Sequence, residues 1–165
     1  MNVNNKPGLK GKFSVLCIDS EGNTKWEQDF PNGITDVGVA YLLNAGFDSG
    51  SVTTTWYVGL IDNASFSALS ASDTAASHSG WIENQDYSET TRVTWANDAT
   101  AARTMSNSVS ADFSMDATAT IKGVFIISVS TKGGSTGTLW STATFGSNAA
   151  VTNGDTLKVT YSING

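Results

Sequence analysis

The chain has 165 residues, a formal net charge of −6 and a single cysteine. This length fits one domain with a buried core, and Cys17 has no second cysteine with which to form an internal disulfide. An acidic surface repels a phosphate backbone, so the charge argues against nucleic-acid binding. Only 15% of the residues are charged, which together with many small polar residues favours short strands joined by polar turns.

The first eleven residues predict a flexible basic arm, because their proline and glycines leave little to bury. Lys6 and Lys10, with Lys12 directly after the arm, are candidate contacts for an acidic neighbour. A plain disordered tail is the alternative. We expect residues 12–165 to form a single domain. The chain has no apolar run like that of a signal peptide and none of the ~20 residues that cross a bilayer, so we expect cytoplasmic synthesis and no membrane insertion.

A β-hairpin is predicted next, with strands over 12–18 and 24–30. The polar turn between them contains Asp19, Glu21 and Asn23 at alternating positions, as in the first half of a calcium loop. The glycine and glutamate that such a loop needs at its sixth and twelfth positions are missing, so an ordinary hairpin turn is favoured.

One short helix is predicted to begin at Thr35 and Asp36, which are good capping residues. Gly46 suits the position just after its end. Four apolar side chains at three- and four-residue spacing share one side of this helix: Val39, Leu42, Leu43 and Phe47. We expect this helix to close one end or edge of the β-structure.

A long segment over 64–86 follows a predicted strand at 55–61. Connections of this length are usually functional or have structure of their own, so this segment is the candidate interaction surface. Its candidate contact residues are Phe66, His78 and Trp81. Aromatic faces stack on sugars and on protein partners, although core packing is the favoured role for most of the five tryptophans.

His78 is the only histidine, and Asp73 lies near it in the sequence. A Ser-His-Asp hydrolase also needs a positioned nucleophile and an oxyanion loop, and no G-x-S-x-G turn is present, so a structural histidine is favoured. Glu83, Asp86 and Glu89 are interpreted as an exposed acidic loop rather than as a glycosidase pair. We therefore predict no catalytic residue, cofactor or metal.

The remaining strands complete an all-β fold. They are predicted over 91–95, 108–115, 119–129, 138–145 and 156–163. The run 119–129 is the most apolar of the chain and predicts a central strand buried on both faces. Seven or eight short strands with one helix favour a jelly-roll-like or Greek-key β-sandwich.

Several stretches resemble small virion proteins of tailed bacteriophages. They are residues 32–38, 56–61, 71–83, 87–92, 123–125, 137–140 and 154–161, and the likeness extends over about two thirds of the chain. The resemblance is to a loosely defined group of head and tail components and carries no catalytic residues.

This resemblance implies a structural protein of the virion, foremost a capsid decoration or cement protein that binds the major capsid protein. It also implies a homo-oligomer, with trimers at local threefold points as one form. A tail or fibre component that binds a host-surface glycan or receptor is the second interpretation, and a small hydrolase that uses His78 is the third.

Overall fold

The computed structural model describes residues 8–165, apart from the side chain of Asn148. Eleven strands and one helix occur in this part of the chain. In order they are β1 (Lys10–Ile18), β2 (Thr24–Pro31), β3 (Gly33–Ile34), α1 (Asp36–Phe47), β4 (Trp56–Asp62), β5 (Glu83–Asn84), β6 (Val93–Trp95), β7 (Thr104–Ser106), β8 (Ala111–Ser114), β9 (Ala119–Ile127), β10 (Leu139–Val151) and β11 (Thr156–Asn164).

The strands form two antiparallel sheets, which confirms the prediction of an all-β sandwich with one short helix. In the first sheet the order is β2-β1-β11, and both β7 and β8 pair with the free side of β11. In the second sheet the order is β3-β10-β9-β4, and both β5 and β6 pair with β4. The first and last strands, β1 and β11, pair continuously from Lys10↔Asn164 to Ile18↔Thr156.

The main core lies between the two sheets. Strands β1 and β11 alternate buried and partly exposed residues, so every second side chain points inward. Phe13 of β1 stacks on Tyr161 of β11 with ring centroids 4.3 Å apart. The facing sheet contributes aliphatic side chains such as Val124 and Ile126 of β9.

A second core lies on the outer side of the second sheet. Phe125 and Ile127 alternate with the inward residues of β9 and pack there under the connection between β4 and β5, with Trp81 and Ala75 above them. Strand β9 is therefore buried on both faces, as its sequence predicts. The long connection forms a third layer over the sheet rather than a free loop.

The beginning of the chain differs from the prediction in one respect. Strand β1 begins at Lys10, so Lys10 and Gly11, which were assigned to the flexible arm, lie in the first sheet. Lys6 lies outside the described residues. Within the described part, no helix is long and apolar enough to cross a membrane.

Candidate functional site

Helix α1 is fixed to the sandwich by its first residues. Thr35 caps the helix, since its Oγ1 accepts a hydrogen bond from the Gly38 N–H at 3.0 Å. The same hydroxyl donates to the carbonyl of Leu139, and the Thr35 N–H donates to the carbonyl of Trp140 at 3.0 Å. The predicted helix start is confirmed, and these bonds attach it to β10.

The end of the helix was predicted wrongly. Gly46 lies inside the last turn, and Asp48 is the capping residue, with its N–H donating to the carbonyl of Asn44 at 3.0 Å. Gly50 donates to the same carbonyl. The helix thus continues through Gly46, and its terminal carbonyls are satisfied by the loop that follows.

The side of α1 that faces the protein contains a glycine and a tyrosine. Gly38 is buried against β10. The Tyr41 ring meets the Trp56 ring edge to face, with centroids 5.3 Å apart, and its hydroxyl accepts a hydrogen bond from the Thr53 N–H at 2.6 Å. These contacts decide which side of the helix is turned inward.

The four apolar residues that share one side of the helix are turned outward. Their exposed fractions are 43% for Val39, 42% for Leu42, 52% for Leu43 and 89% for Phe47. The helix lies against the sandwich, as predicted, but its contacts come from Thr35, Gly38 and Tyr41 and not from this apolar side. We call these four residues the α1 outer face.

The α1 outer face belongs to a helix that is apolar on almost every side. Among its twelve residues, only Asp36 is charged and only Asn44 carries an amide. A helix of this composition is normally buried in the finished structure, because exposed apolar surface is unfavourable in water. Val52, in the loop after the helix, is also 68% exposed. The four residues of the α1 outer face are neighbours on the helix surface, and an exposed apolar surface of this kind is typical of a protein-protein contact.

An aromatic cleft of about 220 Å³ lies between α1 and one end of the sandwich. Its lining includes Tyr41, Leu42, Trp56, Trp95, Met105 and Trp140. The indole N–H of Trp140 donates to the Tyr161 hydroxyl at 2.9 Å, and that of Trp95 donates to the Tyr161 carbonyl at 3.2 Å. These two rings are only 4% and 6% exposed and form the floor of the cleft. The surface open to an occupant comes from the partly buried Tyr41, Trp56 and Met105 at its sides. Leu42 belongs to both the cleft and the α1 outer face.

Trp81, a predicted contact residue, is not available to a partner. It is only 3% exposed, its ring packs between His78 and Phe125, and its indole N–H donates to Asp73 at 2.9 Å. The outer side of the second sheet is itself apolar and must be covered, and the 64–86 segment folds back to cover it. Trp81 holds this covering segment against the sheet, so the prediction that it is an exposed contact residue is wrong.

The other predicted contact residues lie at the surface without forming one site. Phe66 is partly buried, and the Lys122 ammonium lies 5.4 Å from its ring centroid. Lys12 is exposed and pairs with Asp29 at 2.6 Å. Lys10 is exposed at the start of β1.

The residues considered for hydrolysis form structural contacts. Asp73 accepts hydrogen bonds from the Trp81 indole and from the Ser70 N–H, so it orients an indole rather than the His78 imidazole. His78 is partly buried, and its Nδ1 lies 3.0 Å from the Trp81 carbonyl oxygen. Among residues 8–165, no three His, Cys, Asp or Glu side chains are grouped as metal ligands would be.

The acidic loop was also interpreted wrongly in part. The side chain of Glu83 is only 5% exposed, and its two oxygens accept from the Arg92 guanidinium at 2.8 Å each, an arrangement that orders both side chains. Arg92 also donates to the carbonyls of Val129 and Gly134. In the first hairpin, Asp19 Oδ1 accepts from the backbone N–H groups of Glu21 and Asn23, which confirms an ordinary turn.

A comparison with protein-family models found no family that matches this chain, and a comparison with curated proteins found no similar sequence.

Proposed function

We propose that this chain is a structural protein of a tailed-bacteriophage particle, specifically a capsid decoration or cement protein that binds the major capsid protein. The observation that carries the proposal is the exposed α1 outer face on an otherwise closed sandwich. Such a face calls for a neighbour in an assembly. The sequence stretches that resemble phage virion proteins suggest that this assembly is a phage particle.

A rigid sandwich suits attachment to a shell. Pairing of β1 with β11 ties both ends of the described chain into one sheet, and the layer over 64–86 packs on the outer side of the other. Weak contacts repeated over a symmetric lattice give strong total attachment, because each bound copy is held next to further sites. The capsid-facing contact is proposed to be the α1 outer face, with Phe47, 89% exposed, as its most accessible side chain.

The test is retention on purified phage heads that lack the protein. We expect saturable binding to empty and DNA-filled heads, with a fixed number of copies per major capsid protein. A Phe47→Ser variant should be retained more weakly, because it removes the most exposed side chain of the α1 outer face. Val109→Ser is the matched control, because Val109 is 66% exposed in the connection between β7 and β8 and no role is proposed for it. Heads that fail to retain the wild-type protein contradict the proposal.

The aromatic cleft favours one second candidate, a tail or fibre component that binds a host-surface glycan. Aromatic rings are the surfaces on which pyranose rings stack, and the partly buried Trp56 lines the cleft. In a glycan or whole-cell binding assay, Trp56→Ala should then abolish binding, whereas Trp26→Ala, at a tryptophan of β2 outside the cleft, should retain it. Absence of binding by the wild-type protein rejects this candidate.

A further inference from the structure

We propose that the aromatic cleft holds the terminal ring of an uncharged glycan, with a C–H face of the sugar against Trp56 and its hydroxyls toward Thr54 and Asn97. This inference rests on the second candidate function, glycan binding, and specifies its ligand. It applies equally to a protein on the head and to one on the tail of a particle. The size of the cleft, its lack of charge and the arrangement of its apolar and polar groups favour this ligand.

The cleft has room for one sugar ring. Its volume of about 220 Å³ exceeds the roughly 150 Å³ of an engineered cavity that binds benzene, and it is below the roughly 300–1,000 Å³ of sites for drug-sized ligands. Trp95 and Trp140, fixed by their hydrogen bonds to Tyr161, close its floor. A ligand therefore enters with one end only, as the last ring of a glycan does.

The lining of the cleft selects against charged ligands. None of the described residues that line it is charged, while the whole chain carries a net charge of −6. An acidic sugar would lose water on entering without gaining a cationic partner, and the field of the protein would repel it. A neutral sugar meets neither penalty.

Trp56 supplies a fixed aromatic surface at the side of the cleft. Its ring is partly buried and makes edge contacts with Tyr41 and Trp140, with centroids 5.3 Å and 6.1 Å apart. These contacts hold the indole in place before a ligand arrives, so little side-chain entropy is lost on binding. An indole face held in this way suits the C–H face of a pyranose ring.

Polar groups line the cleft at the protein surface. Thr54 and Asn97 are both exposed there. The Asn97 amide donates two weak hydrogen bonds, one at 3.4 Å to the Asp98 carbonyl and one to the sulfur of Met105, so it can exchange them for a sugar hydroxyl. A ligand with an apolar face and a polar edge fits this arrangement, whereas a hydrocarbon ring would leave the polar groups unused.

The test is saturation-transfer NMR of the full chain with single methyl glycosides. The glucoside, galactoside and mannoside are each compared with the matching uronide, in which a carboxylate replaces the terminal CH₂OH group. We expect at least one neutral glycoside to bind and its uronide to bind at least about tenfold more weakly, because the cleft provides no cation. Failure of all three neutral glycosides to bind, or equal binding of a glycoside and its uronide, would overturn the proposal.

Two variants test the residues of the cleft. Trp56→Ala should abolish binding, whereas Trp26→Ala, outside the cleft, should retain it. Because Trp56 also packs against other rings, the second variant is Asn97→Ala at an exposed side chain, which should weaken binding about threefold or more. Asn44→Ala removes an exposed amide of α1 outside the cleft and is its control. Binding that neither Trp56→Ala nor Asn97→Ala changes would place the sugar elsewhere and contradict the proposal.

Thr54→Lys tests the selection against charge. A cation at this exposed position should raise the affinity for the uronide relative to the neutral glycoside, and an unchanged ratio would contradict the charge argument. Whole-cell binding that Trp56→Ala abolishes, without binding of any single sugar, contradicts only this inference. Absence of binding to cells and to all glycans contradicts the second candidate function as a whole, and retention on heads depends on neither result.

Discussion

A Cβ atom on Gly38 would lie 2.5 Å from the carbonyl oxygen of Trp140, closer than real Cβ contacts come. Gly38 therefore lets the backbone of α1 approach β10 directly. Thr35 bonds to the same strand, so the two contacts together set the rotation of the helix about its axis. This rotation leaves Phe47 and its apolar neighbours exposed.

Replacement of Gly38 by alanine should destabilise the protein although alanine is the better helix former. The added methyl group would force α1 away from β10, and we expect a loss of about 1–3 kcal/mol in the free energy of unfolding. Gly46→Ala is the matched control, because it lies in the same helix with open space around its Cβ position. That variant should gain roughly 0.5–1 kcal/mol. Urea denaturation measures both, and equal effects would contradict the proposed contact.

Glu83→Gln should be strongly destabilising. It would leave the Arg92 guanidinium buried without its charge partner, a change that usually costs about 3–5 kcal/mol. The exposed pair of Lys12 and Asp29 provides the comparison, since Asp29→Asn there should cost less than about 1 kcal/mol. Guanidinium denaturation of the two variants gives the difference. If both variants lost equally little free energy of unfolding, the buried pair would not contribute more to stability than the exposed one.

Acid should destabilise the protein partly through Asp155. Burial alone would raise the pKa of this carboxyl, but hydrogen bonds from Lys25 and Thr152 outweigh it and hold the pKa below the ordinary value of 3.8. A pKa lowered by folding contributes stability above 3.8, and that stability is lost as the pH falls through the folded value. Asp155→Asn should therefore be less stable at neutral pH and should lose less on acidification.

The measurement is the free energy of unfolding as a function of pH for both proteins. Asp98→Asn, at an exposed carboxyl between β6 and β7, is the control for the substitution itself. If the free energy of unfolding of Asp155→Asn fell with acid as steeply as that of the wild-type protein, other carboxyls would account for the loss of stability.

Cys17 should be unreactive in the folded protein. Its side chain is fully buried, and burial with the nearby Asp155 carboxylate raises the pKa of its thiol to about 12. Thiolate is the reactive form, so a thiol reagent at mildly alkaline pH should label Cys17 only after the protein unfolds. Mass spectrometry of native and denatured samples measures this. Rapid labelling of the native protein would mean that the first sheet opens locally.

Much of the β-structure could be predicted because strand patterns are local. The alternation along β1 and β11 indicates strands with one buried face. The continuous apolar run of β9 indicates a strand buried on both faces. Turns are local as well, and Gly154 adopts the positive φ of 92° expected of a tight turn. The predicted Thr35 cap is likewise a contact between neighbouring residues.

The candidate site depended on contacts that the sequence pattern does not encode. Helix α1 is apolar on nearly all sides, so residue spacing alone is compatible with more than one side facing the sandwich. The apolar pattern favoured the side that is exposed in the structure. A contact between Gly38 and Trp140, about a hundred residues apart, decided the question. Trp81 was misjudged for a similar reason, because only the folded chain shows that the second sheet has an outer core to cover.

The sequence by itself thus determined the fold class, most strand positions and the start of the helix, because these follow from side-chain periodicity and local hydrogen bonding. Only the tertiary structure decided the rotation of α1, the exposure of Phe47 and the existence of the aromatic cleft. These depend on steric contacts between distant segments, and such contacts arise only once the two sheets have packed together.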